Sequence, residues 1–449
     1  MDIEVIKEYL KKLSPSRKLI LGFLIAILIG TLLLMMPFSL KDGQKLSFLS
    51  SLFTIVSATC VTGLTVVDVS KTFSTAGTTI ILFFIQLGGL GVMTFSSIIF
   101  LVMGKKMTFH ERELLKEERN ADSSGEIADF IKRLLFVVFV IESIGALILT
   151  TQFLKGRPLS EAVYYGVFHS ISAFCNAGFS LFTDNLESFK NNVVINLTIG
   201  YLITLGGIGF AVITSVVTVV RKGIDRFNLT SKVAILMSII LTTGGMILFF
   251  LLEYSNPETL GNLNFFQKVL ASYFQSVTLR TAGFNTIPLG NLRDATIFIS
   301  CIWMFIGASP GSTGGGIKTT TFGVIMFYVI GIAKKKSNVE LFNRRLDWEI
   351  LNRALAILVI AIAYISFVIM CLLVVEKFPM EQIVFEVISA FGTVGLTLGI
   401  TPYLSVFSKL LIIITMLVGR LGPLTFALAI GETKKKAVSK YPKENILVG

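Results

Sequence analysis

The chain has 449 residues, 53% hydrophobic and only 15% charged, with a mean hydropathy of +0.79 and a formal net charge of +12. Soluble globular chains carry roughly 25% charged residues, so this composition excludes an ordinary soluble enzyme and assigns the chain to a lipid bilayer. The basic excess excludes nucleic acid, because lysines and arginines sit in short blocks between apolar runs and form no basic face interleaved with stacking aromatics.

In chain order, apolar runs long enough to cross roughly 30 Å of hydrocarbon cover 19–38, 76–103, 134–154, 193–220, 233–252, 295–332, 354–375 and 404–430. The first run is too long for a signal-peptide core and has no small-residue cleavage site, so it is read as a retained span. A shorter semi-apolar stretch lies inside each successive pair of spans, too short to cross, and reads as re-entrant. Segments 1–18, 104–133, 221–232, 333–353 and 432–449 hold 27 of the 40 lysines and arginines. Basic residues near span ends are retained in the cytoplasm, so these segments are predicted to be cytoplasmic, both termini included. The predicted organisation is a cytoplasmic N-terminus (1–18), repeat 1 (19–103), a loop (104–133), repeat 2 (134–220), a loop (221–232), repeat 3 (233–332), a loop (333–353), repeat 4 (354–431) and a tail (432–449).

Cys60, Cys175, Cys301 and Cys371 show no paired extracellular spacing and are expected to be free thiols. His110 and His169 are too few and too isolated for a histidine metal site.

The four short stretches superpose without gaps: SATCVTGLT from Ser57, SAFCNAGFS from Ser172, VTLRTAGFN from Val277 and SAFGTVGLT from Ser389. Their central glycines, Gly63, Gly178, Gly283 and Gly395, are 115, 105 and 112 residues apart. The expected fold is therefore an all-α integral membrane protein of four span, pore helix, span repeats. Its eight transmembrane helices all repeat in one orientation and close with pseudo-fourfold symmetry around a central pore. A short helix running inward from the outer face aims its negative dipole end at the membrane centre, which favours a cation. The chain then returns outward in extended form, where its carbonyls can replace the hydration shell of a weakly hydrated ion such as potassium. The candidate filter carbonyls are those of Thr62, Gly63, Ala177, Gly178, Ala282, Gly283, Val394 and Gly395. One glycine per copy, against two in a TVGYG loop, implies fewer well-ordered ion sites.

The second spans echo one another, with LGGLG from Leu87, LGGIG from Leu205, FIGASPGSTGGG from Phe305 and VGRLG from Val418. In the first two, glycine is read as permitting close helix packing. In the third, Gly307, Ala308, Ser309, Pro310, Gly311, Ser312, Thr313, Gly314, Gly315 and Gly316 cannot continue a helix. Unwound backbone at this depth must line a cavity, and its position after the third turn predicts a gate beneath the pore. The near-match to a phosphate-binding loop, GSTGGGIKT from Gly311, fails because Ile317 separates glycine from Lys318 and no strand precedes it. Lys318 is expected either to hold carbonyls of this loop or to reach toward the cytoplasm. Arg420, costly in hydrocarbon, is expected to face protein or water. Arg280, three residues before Gly283, has two open orientations: behind the filter, bonding carbonyls or pairing with Glu386, or outward to the surface.

The fourfold plan, the single glycine in each of four unlike loops, and the motifs SATCVTGL, NAGFSL, TLRTAGFN and SAFGTVGLT resemble the Trk/Ktr/HKT superfamily. The likeness is greatest to the bacterial Ktr membrane subunit and covers about residues 18–431. It implies a potassium-uptake subunit in the plasma membrane, a homodimer with one pore per chain, docked on a cytosolic ring of nucleotide-binding regulatory subunits. Serine at the first filter glycine goes with sodium transport in plant members. Glycine stands there in this chain, at Gly63, so potassium is implied as the transported ion, with sodium as an activator or co-ion. The resemblance also places Arg420 on the ion path facing the loop in span six. No covalent cofactor is expected. The loops 104–133 and 333–353 and the tail are the candidate docking surfaces. An alternating-access carrier usually has inverted repeats, which these are not, and a membrane enzyme lacks its catalytic constellation here.

Overall fold

The structure, a computed structural model, describes residues 15–91, 126–222, 227–335 and 340–423. Most of the expected N-terminal segment, His110 and the rest of 104–125 in the loop at 104–133, the later part of the second apolar run, and the whole tail lie outside the described residues.

Four times a long helix is followed by a short one and then by a helix that stops early. The first set is α1 (Pro15–Met35), α2 (Phe48–Thr59) and α3 (Thr75–Gly89). The second is α4 (Glu126–Phe153), α5 (Leu159–Phe174) and α6 (Val193–Gly207), continued by α7 (Phe210–Lys222). The third is α8 (Leu229–Glu253), α9 (Phe265–Thr278) and α10 (Asp294–Phe305), continued after a break by α11 (Thr319–Ala333). The fourth is α12 (Trp348–Val375), α13 (Met380–Gly392) and α14 (Val406–Leu421). A two-residue hairpin, β1 (Glu340–Leu341) with β2 (Arg344–Arg345), precedes α12.

The helix starts are written locally. Ser47, Ser74, Asn192, Asn228, Asn264 and Ser405 each accept a first-turn backbone N–H of the helix that follows, with a full capping box between Asn264 and Gln267. This satisfies donors that a helix cannot satisfy itself. Pro158 and Pro379 stand immediately before α5 and α13.

Polarity is arranged from inside to outside. Phe136, Phe139 and Leu147 of α4, Ile239, Ile247 and Leu251 of α8, and Val359, Phe367 and Val374 of α12 are exposed, while Thr54, Ser57, Ser172, Ser276 and Thr278 are buried. Exposed apolar surface on this scale suits a lipid solvent. Among the described residues three helices, α4, α8 and α12, are long and apolar enough to cross a bilayer.

Packing runs around a circle. α3 lies against α5, α6 against α9, α10 against α13, and α14 returns to α2. Glycine allows the outgoing helices to come close, since a Cβ at Gly88, Gly206 or Gly419 would run into the main-chain carbonyl of Thr59, Phe174 or Phe391. The expectation of close packing at LGGLG and LGGIG is met at Gly88 and Gly206. A few residues later the backbone turns left-handed at Gly91 (φ 84°), Gly209 (φ 98°) and Gly422 (φ 89°). The apolar run 193–220 is accordingly two helices, parted at Ile208 and Gly209.

Candidate functional site

Each re-entrant turn begins where a short helix ends. The residue two before the central glycine is left-handed in every copy: Val61 (φ 50°), Asn176 (58°), Thr281 (68°) and Thr393 (50°). For the β-branched three this conformation is strained, and the surroundings must sustain it. The central glycines follow at φ 97°, 68°, 77° and 90°, where a side chain would be resisted.

Serine and threonine hold the turns from behind. The Thr62, Ala177 and Val394 N–H groups donate to the carbonyls of Ser57, Ser172 and Ser389 at 2.8 Å each. The third copy is one residue tighter, Ala282 donating to Thr278 at 3.0 Å. The Ser57 and Ser389 hydroxyls accept the N–H of Gly63 (3.0 Å) and Gly395 (3.1 Å), while Ser172 Oγ donates to the Phe179 carbonyl at 2.8 Å.

All eight predicted filter residues come together. A Cβ at Gly63 would sit 2.6 Å from the Ala177 carbonyl oxygen, one at Gly178 2.7 Å from that of Ala282, and one at Gly283 2.5 Å from that of Val394. A Cβ at Gly395 would meet the Thr62 carbonyl. The turns therefore form a closed ring in chain order. Of the eight carbonyls, those of Thr62, Gly63, Ala177, Gly178, Ala282, Val394 and Gly395 accept no hydrogen bond among the described residues; Gly283 accepts one, from Asn185.

Outside the ring, Asp68 caps a single helical turn, accepting Ser70 N–H (2.9 Å) and Lys71 N–H (3.3 Å), while the Ser70 hydroxyl meets that of Thr183 at 2.9 Å. Burial pushes the Asp68 carboxyl up, and the hydrogen bonds from Ser70, Thr183 and Lys71 together outweigh it and hold it below the usual carboxylate range.

On the other side of the ring lies the glycine-rich segment between α10 and α11. Its stem is a bridge between Ile306 and Ile317, with Gly307 N–H donating to the Ile317 carbonyl at 2.9 Å. Its tip is bonded on every side. Ser309 N–H donates to Gly207 (3.0 Å) and Thr313 N–H to Gly206 (3.2 Å), while the Gly311 carbonyl accepts from Phe210 (2.8 Å). Thr313 Oγ1 reaches the Phe174 carbonyl at 3.2 Å, and Gly315 N–H donates to Thr393 Oγ1 at 2.9 Å. A Cβ at Gly314 would run into Thr281 Oγ1. The segment thus touches the inner end of the turns directly. Gly307, Ala308, Ser309, Thr313, Gly314, Gly315 and Gly316 are buried, and Pro310, Gly311 and Ser312 are partly so.

The Arg420 guanidinium donates to the carbonyls of Thr313, in this segment, and Gly88, at the end of α3. Lys318 takes the first of its two expected readings, holding a loop carbonyl: its Nζ donates to the Gly314 carbonyl at 2.8 Å, closing the loop on itself. Lys318 is partly buried, and the Gly314 carbonyl gives its ammonium a hydrogen-bond partner there. Arg280 points behind the ring, as one of its two orientations required, but takes the hydroxyls of Ser238 (2.9 Å) and Thr242 (3.2 Å) on α8. It does not pair with Glu386, which accepts from Thr397 at 2.7 Å and from Thr401.

Residue comparisons carry the identification. The family model described as TrkH, cation transport protein, matches residues 14–439. The chain belongs to the TrkH family. It is 42% identical over 438 residues to the "Ktr system potassium uptake protein B" of Bacillus subtilis (strain 168), covering 98% of this chain and 97% of that one. It is 37% identical over 449 residues to the "Potassium/sodium uptake protein NtpJ" of Enterococcus hirae, covering 99% of each. Among solved structures it resembles the potassium transporter TrkH from Vibrio parahaemolyticus, with a TM-score of 0.71 at 19% identity, over 91% of this chain and 84% of that one. As a TrkH-family member the chain is a membrane-embedded cation transporter and not an enzyme.

Sequence reasoning missed two features of this TrkH-family chain. Val61, Thr281 and Thr393 gave no sign of a left-handed backbone, because only the fourfold register shows that they are equivalent to Asn176. His169 lies fully buried behind the second turn, Nδ1 against the Tyr165 carbonyl (2.8 Å) and Nε2 against Ser180 Oγ (3.1 Å), among Phe153, Phe182 and Phe284. Its buried partner hydroxyl, 11 residues on, was the only available hint.

Proposed function

We propose that the chain takes up potassium through a carbonyl-lined filter at the ring, gated by the loop beneath it. One observation carries this: seven main-chain carbonyls in a ring of mostly buried turns accept no hydrogen bond among the described residues. Buried carbonyls demand a partner, and a dehydrated monovalent cation supplies one to many oxygens at once. Potassium is favoured over sodium because its shell is the weaker one to strip, and Gly63 keeps the first turn free of a side chain. The names of the Bacillus and Enterococcus relatives support potassium as cargo, and the Enterococcus name adds sodium, which this proposal takes as an activator.

In the same proposal the four helix sets are four repeats, giving eight spans with pseudo-fourfold symmetry and both termini in the cytoplasm. Residues Gly307 to Gly316 obstruct the path with backbone and small side chains, and Arg420 adds a charge that repels cations and donors that hold the loop. A cytosolic nucleotide-binding subunit controls the loop from outside, since the described residues contain no nucleotide-binding fold, and the chain works as a homodimer in the plasma membrane.

Purified chain reconstituted in liposomes should pass potassium down its gradient with no coupled ion, and Gly63→Ala should abolish the flux. Flux that stops when a counter-transported ion is withdrawn would establish a carrier instead.

A further inference from the structure

One of the ring carbonyls differs from the rest. Gly283 O accepts the Asn185 side-chain amide at 3.4 Å, whereas its counterparts at Gly63, Gly178 and Gly395 accept nothing among the described residues. Asn185 belongs to the outer loop of the second copy and Gly283 to the turn of the third, so the contact crosses between copies. It is also built in. Asn185 is itself left-handed (φ 56°), a conformation that asparagine tolerates better than most residues, and its carbonyl accepts from Ser180 Oγ at 3.2 Å. Its other side-chain atom, Oδ1, accepts the Asn285 N–H at 3.4 Å. Asn285 returns the grip: its carbonyl accepts Leu186 N–H at 3.1 Å, and its amide donates to Glu187 Oε1 at 2.8 Å and to the Ile287 carbonyl at 3.2 Å.

We infer that Asn185 is a positioning residue for ion selection: its amide fixes the direction of the Gly283 carbonyl and makes that oxygen a weaker cation ligand than its three counterparts. A carbonyl has two lone pairs, so the oxygen can accept the amide and still face an ion. The amide dipole opposes the ion's field, and selectivity depends on the number and strength of the carbonyl dipoles presented. The third quadrant of the ring is therefore stiffer and less attractive than the others, and an ion is held off-centre. This rests on the ring being the ion path.

The test uses full-length chain in liposomes, with half-saturating potassium, maximal flux and the flux ratios of potassium to rubidium and to sodium measured together. Asn185→Gly keeps the left-handed turn and removes the amide; Asn185→Asp keeps the turn and the acceptor for Asn285 but cannot donate to Gly283. Both should change half-saturation at least threefold and shift both flux ratios, with maximal flux and the unfolding midpoint within about twofold and a few degrees of the parent. If Asn185→Gly does not fold, Asn185→Asp carries the same measurement. Unchanged half-saturation and ratios in either variant, or a fall in maximal flux that follows lost thermal stability, overturns the inference while leaving the conduction of the parent intact. A parent that conducts no potassium would instead remove the path on which the inference rests.

Discussion

At the scale of single residues, glycine serves two purposes that the sequence does not separate. At Gly63, Gly178, Gly283 and Gly395 it supplies a left-handed backbone; at Gly88, Gly206 and Gly419 it supplies room for a neighbouring carbonyl. The second use is testable without reference to transport. Gly88→Ala places a methyl group on main chain that cannot move aside, and overpacking of this kind costs about 1–3 kcal/mol, so the unfolding midpoint in detergent should fall by several degrees. Gly22→Ala, where nothing lies within 4 Å, should instead hold or raise the midpoint, since alanine favours a helix by about 0.5–1 kcal/mol. The eight ring residues were legible because one motif occurs four times. The partners of Arg280 were not: it settled on the hydroxyls of Ser238 and Thr242, while Lys318, for which a loop carbonyl was one of two readings, took that of Gly314. Every segment of a membrane protein offers such groups, so hydropathy cannot rank them.

At the scale of elements, the ten residues from Gly307 to Gly316 are held by groups from more than one copy: Gly206, Gly207 and Phe174 of the second, Thr393 of the fourth, and Arg420, which also holds Gly88 of the first. A loop without large side chains resists displacement only through such bonds. Deleting Ser309 to Gly315 should raise potassium flux severalfold with no regulator present, and Arg420→Gln should do so to a smaller degree; flux equal to the parent in both would remove the loop from gating. The break in this element was legible from five glycines and a proline in an apolar run, because no helix sustains them. The break at Gly209 was not, because its signal, LGGIG, also serves helix packing, and here it does both.

At the scale of the whole molecule, the circuit of α3 on α5, α6 on α9, α10 on α13 and α14 on α2 is the closure expected of the proposed four copies of one plan in one orientation. Orientation itself is a claim about charge, and labelling checks it. In intact cells a membrane-impermeant thiol reagent should modify Lys45→Cys and Lys190→Cys but leave Lys334→Cys untouched until the membrane is opened, measured in a background lacking the four native cysteines. Labelling of Lys334→Cys from outside would invert the topology. Lengths of the spans were less legible than their order, since an apolar run does not reveal where a single left-handed glycine divides it.

The ring joins its last turn to its first, with Gly395 against Thr62. A ribosome that has released the first three copies into the membrane has therefore made a trough with an open side, its Thr62 carbonyl facing the place where the final quarter belongs. Closure waits for the fourth copy to be synthesised and inserted. A chain truncated before the fourth copy would lack Gly395 and so leave the Thr62 carbonyl without the neighbour that closes the ring.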